Sequence, residues 1–195
     1  MRKFCVPLTV LLAGCSTPTV MPALAQYDIQ MEPWQSGKSV EAVTFKHAGG
    51  VSGDRLPSCV ARIVANDSIT LSDTANSFYG AYTGNYYSNS RSSESSGGDV
   101  LTYVGEGGQS VVARGSVGYE ASGLVRRAVR FSLAIDVKDG IRVMKFSRLE
   151  QAQINTGAAA NTGFNKIGAW SGATPDLAIA SLEKLAGQIN DCLEI

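Results

Sequence analysis

Apolar and polar positions alternate with period two over 40–47, where Val43, Phe45 and His47 share one side against Thr44 and Lys46. That alternation predicts a half-buried strand, closed by Gly49-Gly50. The period then changes: Leu56, Cys59, Val60, Ile63 and Val64 fall at i, i+3, i+4, i+7 and i+8. This lays one apolar stripe on a helix over about 54–65, with Pro57 in its first turn and Asn66-Asp67 at its end. A short strand is expected at 69–72, and two more at 100–104 and 111–120, joined by the glycine-rich 105–109. Runs 126–138 and 141–150 flank Asp139-Gly140, a strong signal for a two-residue hairpin turn. That turn sets Ile135 opposite Met144, Leu133 opposite Phe146 and Phe131 opposite Arg148, with Val129 and Val137 on the same apolar face. The other face pairs Arg130 with Leu149, Ser132 with Ser147, Ala134 with Lys145 and Asp136 with Val143, and is mostly wet. Finally, Thr174-Pro175 reads as a cap and first helical residue, with Asp176 well placed in the first turn. Ala178, Leu182, Leu185, Ile189 and Leu193 then recur at helical spacing.

The order of strand, helix, several antiparallel strands and last helix predicts an α+β fold, a single curved antiparallel sheet packed by an early and a C-terminal helix. The region 74–98 departs from every period. Phe78, Tyr79, Tyr82, Tyr86 and Tyr87 are interleaved with Gly, Asn and Ser, and a nearly all-small, polar run follows. It reads either as a binding loop, with Tyr supplying contact area, or as an insertion with no partner.

The first residues carry an address. Arg2 and Lys3 precede an apolar stretch from Phe4 to Leu12, far short of the roughly 18 to 20 residues that span a bilayer. Leu12-Ala13-Gly14-Cys15 resembles a lipobox, which implies cleavage before Cys15 and acylation of that cysteine, palmitate among its chains. The expected organisation is a lipoprotein signal peptide at 1–14, a lipidated tether at 15–38 and one α+β domain at 39–195. Ser16 is not the aspartate that resembles an inner-membrane retention signal, so the outer membrane, on its periplasmic side, is the expected location. The competing reading is cleavage after Ala23-Leu24-Ala25, which leaves a soluble periplasmic protein.

With the leader gone, Cys59 and Cys192 remain and are expected to pair in an oxidising compartment. The alternatives are two small buried thiols or a metal site, the latter disfavoured because no His or Cys cluster accompanies them. The 17 basic residues fall to 15 against 17 acidic ones once Arg2 and Lys3 leave, a balance that offers no steering toward nucleic acid. The run from Phe131 to Ser147 and the element order resemble a bacterial lipoprotein domain family of unknown role with a TBP-like fold. That resemblance implies a curved antiparallel sheet backed by helices and carries no implication of DNA binding.

Chemistry is sparse. The one histidine, His47, sits on a strand with Val43 and Phe45, where a structural role is the ordinary one. Ser110 stands where a dinucleotide loop needs its third glycine, and a strand follows where a helix should. Asp54, Glu94, Asp99, Glu106 and Glu120 stand singly. No catalytic, cofactor or metal residues are assigned. Arg114, Arg126, Arg127, Arg130, Arg142 and Arg148 concentrate on strands, where they make either a patch suited to a phosphate or lipid headgroup or ordinary charge on a wet face. The sequence therefore leads to a non-catalytic structural or interaction module of the envelope, with an envelope protein or glycan as partner. The alternatives are a carrier or sensor of a small apolar or lipidic ligand, then a carboxylate-based hydrolase.

Overall fold

The computed structural model describes residues 19–50, 55–123 and 125–194. The leader and the expected lipidation site, Cys15, lie outside the described residues. In chain order the elements are β1 (Asp28–Trp34), β2 (Gly37–Ala48), α1 (Arg55–Ile63), β3 (Ile69–Asp73), β4 (Phe78–Tyr79), β5 (Tyr86–Tyr87), β6 (Arg91–Ser95), β7 (Leu101–Val104), β8 (Ser110–Ser122), β9 (Val125–Lys138), β10 (Ile141–Gln153), β11 (Asn165–Gly168) and α2 (Pro175–Glu194). Seven strands form one open antiparallel sheet in the order β1-β2-β11-β10-β9-β8-β7, with β2 also pairing β10. The class is α+β.

The β9–β10 hairpin keeps the register set by its turn as far as Ser147 opposite Ser132. There it slips by one residue, and Glu150, not Leu149, faces Arg130. The cause is a bulge at Arg148 and Leu149, where Arg148 adopts a left-handed backbone with φ of 52°. Phe131 therefore does not face Arg148 across the core. Arg148 is exposed and Leu149 takes the buried position. Met144 and Phe146 line the core before the bulge, and Leu149 lines it afterwards.

One face of the sheet is covered by both helices. Val43, Val111, Val129, Phe131, Leu133, Ile135, Met144 and Phe146 meet Leu56 and Val60 of α1 and Ile179, Leu182, Ala186 and Ile189 of α2 in one buried cluster. Every α2 position expected from its period is buried, and Ile179 and Ala186 widen the stripe. Thr174, expected as the helix cap, has φ of 53°, and its hydroxyl meets Arg127 Nη1 at 2.9 Å and Tyr119 Oη at 3.1 Å. At the far end of α2 the guanidinium of Arg142, 3% exposed, donates to Asn190 Oδ1 (2.6 Å) and to the Gly50 carbonyl (2.8 Å). A cation there also suits the negative end of the helix dipole.

The expected tether is folded from Pro22 onward. A 3-10 turn over Pro22–Gln26 buries Leu24, and β1 pairs with β2, placing Ile29 opposite Val43 and Met31 opposite Val40. Ile29 and Met31 pack on the core while Asp28 and Gln30 face away. Cys59 and Cys192 are joined as a disulfide, tying α1 to the last turn of α2 across 133 residues.

Gly115 marks the tightest crossing in the sheet. A Cβ there would run into Val64 Cγ1 and lie 2.8 Å from the Ala65 carbonyl oxygen, because the chain leaving α1 hydrogen-bonds the edge of β8 through Ala65 and Ser116. Gly115→Ala is expected to lower stability by about 1–3 kcal/mol through this overlap, read from urea denaturation. In the same assay, replacing both Cys59 and Cys192 by alanine is expected to remove about 2–5 kcal/mol, since the bridge closes most of the domain.

Candidate interaction surface

The region 74–98, expected as a long loop, is built as an arm. At its base β3 pairs β6, with Asp73 opposite Arg91; further out β4 pairs β5, with Phe78 opposite Tyr87. One strand advances five residues between those pairs and the other four, so the arm is a single ribbon with an irregular middle. Neighbouring residues of a strand point to opposite faces, and the two aromatic pairs divide accordingly. Phe78 stacks on Tyr87 at 5.2 Å between ring centres, and Tyr79 meets Tyr86 at 5.0 Å. Between them the turn places Tyr82 wholly in solvent. All five rings are exposed.

A two-stranded ribbon is marginal alone, and cross-strand aromatic pairs contribute only about 0.2–1 kcal/mol each. The base therefore matters most. Ser72 N–H donates to the Ile154 carbonyl at 2.9 Å, Thr156 N–H returns a bond to Ser72 O at 3.1 Å, and Thr74 N–H reaches Gly157 O at 2.7 Å. The Asp73 carboxylate accepts from the backbone N–H groups of Ala75 and Asn161, both at 3.0 Å. The Asn161 amide donates to Ser72 O and Gln153 O. Those bonds hold the arm to the connection between β10 and β11. Hydrogen bonds from Asn161 and Ala75, in that order, with the Arg91 charge behind them, pull the Asp73 carboxyl below its usual value.

Other candidates are less assembled. His47 lies opposite Arg142, and its Nε2 is buried with no hydrogen-bond partner among the described residues. Glu94, Asp99, Glu106 and Glu120 are all exposed. Two carboxylates that the sequence did not single out, Glu32 on β1 and Glu41 on β2, have their pKa values driven apart. The Lys166 ammonium bonded to Glu32 lowers one, while burial and the neighbouring Glu32 raise the other. No group of three or more His, Cys, Asp or Glu able to hold a metal occurs among the described residues.

Trp34 and Trp170 stack at 5.7 Å beside a cleft of about 350 Å³ that also meets Gln151 and Asn161. Those two amides are engaged within the fold, Gln151 with Tyr119 and Ala173 and Asn161 with the arm base. The space between sheet and helices, which the alternative reading of a ligand carrier would need, is filled by the core side chains. No described helix is long and apolar enough to cross a membrane.

No protein family matches the chain, and no curated protein does. Among solved structures it is similar to a DUF4468 family protein from Bacteroides ovatus ATCC 8483, with 12% identity and a TM-score of 0.32 over 89% of this chain and 85% of that one. A likeness of that size carries no argument about activity.

Depression of the Asp73 pKa has a definite sign. The clamp contributes its stability at neutral pH and loses it as pH falls through the folded-state pKa, below the ordinary 3.8. Carboxyl-detected NMR is expected to give a midpoint under that value, with the Ala75 and Asn161 amides shifting on the same curve. Asp73→Asn is expected to abolish the coupled shift and increase hydrogen exchange along 72–75.

Proposed function

We propose that this chain is an outer-membrane-anchored periplasmic lipoprotein, held by acyl chains on Cys15, that serves as a non-catalytic interaction module of the envelope. Its working surface is the aromatic end of the arm, and its partner is an envelope protein or glycan. What supports this is one observation: five aromatic rings stand in water on a ribbon whose base is fixed by backbone hydrogen bonds. Rigid exposed aromatics bury much area on contact at low entropy cost, and contiguous exposed apolar surface of this kind marks interaction sites. The resemblance to lipoprotein domains of TBP-like shape belongs to the same reading.

The test places the photoreactive residue p-benzoylphenylalanine at position 82 in cells. A specific adduct is expected, and it is expected to vanish when Tyr79 and Tyr86 become serine. Absence of a specific adduct, together with an unchanged envelope phenotype after deletion of 76–89, would overturn the interaction reading. Palmitate labelling lost in Cys15→Ser is the matching expectation for the anchor, and an unlabelled, uncleaved product would overturn that part alone.

A further inference from the structure

The outer face of the sheet holds a second feature, independent of the aromatic tip. A cleft of about 690 Å³ opens where the strands bearing Arg114, Arg130 and Arg148 face the connection from β6 to β7. Arg114 on β8 lies opposite Ser132 on β9, so Arg114 and Arg130 are diagonal neighbours on one face. Arg148 reaches the cleft through the bulge, its backbone held in the left-handed region that an arginine does not favour. Bulges of this kind re-aim a side chain, here from the core to the cleft.

The three cations are not equivalent. Arg130 is fixed, with Nε on Glu150 Oε2 at 2.6 Å, Nη1 on Ser95 Oγ at 3.4 Å and its guanidinium 4.5 Å from the centre of the Phe164 ring. Arg114 and Arg148 have no hydrogen-bond or ion-pair partner for their guanidinium groups among the described residues. Asp99 and Glu150 are the acids of the lining, which leaves one positive charge in excess. The opposite wall is stiff: Gly98 N–H donates to Asn66 O at 3.1 Å, the Asn66 amide donates back to Gly98 O at 3.1 Å, and a Cβ at Gly97 would overlap Asn66 O.

We infer that this cleft binds a phosphate-bearing ligand, with Arg114 and Arg148 as the groups that grip its oxygens and Arg130 as a fixed charge beside them. Guanidinium groups match phosphate in a two-bond geometry, and here two of them lack any competing acceptor. The source of the phosphate, a lipid headgroup or a free phosphate ester, is for experiment to separate.

The test is an NMR titration of the purified protein with inorganic phosphate, glycerol 3-phosphate and dihexanoylphosphatidylglycerol below its micelle concentration, against chloride at matched ionic strength. Saturable shifts at the Nε signals of Arg114 and Arg148 and at the Gly97 and Gly98 amides are expected. Arg114→Gln and Arg148→Gln are each expected to weaken binding by about tenfold, while Arg62→Gln beside the disulfide leaves it unchanged. Tighter binding of the glycerophospholipid than of inorganic phosphate assigns the site to a headgroup, and the reverse order assigns it to a free phosphate. Arg148→Gly separates binding from folding, because glycine relieves the left-handed backbone. It is expected to raise Tm while weakening phosphate. Unchanged phosphate binding in that variant, shifts equal to those with chloride, or binding that survives the double Arg114→Gln, Arg148→Gln change would overturn the inference.

Discussion

Had β10 continued past Ser147 in strict alternation, Arg148 would point at the helices and Leu149 at water. A charged side chain buried there without a partner is strongly disfavoured, and the core would lose a leucine in the same step. The extra residue at the bulge reverses both outcomes. Its effect spreads sideways through the sheet. Before the bulge β10 pairs β2 directly, from Ile141 opposite Ala48 to Ser147 opposite Ala42; after it, β11 lies between them, joining Glu150 to Lys166 and Val40 to Ile167. One left-handed residue thus keeps the hydrophobic layer continuous, admits a strand and sends an arginine to the outer face.

The two faces then take different work. On the inner face, buried side chains from five strands and two helices fill one layer, and the disulfide fastens the helices to each other at its border. On the outer face the chain leaving α1 crosses the β8 edge at Ala65 and continues into the arm, whose base bonds to the β10–β11 connection. The arm is therefore carried by backbone hydrogen bonds more than by buried area, and its aromatic end is free to meet a surface. The arginine cleft lies on that same outer face, near the root of the arm, where Ser95 of β6 touches Arg130.

Elements with a long apolar period are legible from the spacing of residues along the chain alone. Both helices are examples, and so is the β9–β10 register as far as Ser147, because turn chemistry and alternation agree there. The register failed beyond that point since a bulge leaves no period of its own, although an arginine assigned opposite Phe131 was already a physical misfit. β1 was hidden by Pro, Gln and Gly around it, and only Ile29 and Met31 alternate on an edge strand that is half exposed. β4, β5 and β11 are two to four residues long, too short for any period to register. Of the surface features, the aromatic residues and the cysteines could be named in advance. The strand arginines could be named too, as a patch suited to phosphate, but not which of them share a cleft. Arg114, Arg130 and Arg148 do, while Arg142 is buried, and that division depends on the face the bulge gives to Arg148 and on a glycine wall brought from elsewhere in the chain.

The borders of the sheet also bear on solubility. β1 slips register between Gln30 and Met31 and carries Pro33, which offers no N–H; β7 is four residues long and slips between Leu101 and Tyr103. Neither β1 nor β7 presents a long, regular row of backbone donors and acceptors to a neighbouring molecule, which disfavours strand-by-strand association along those two strands.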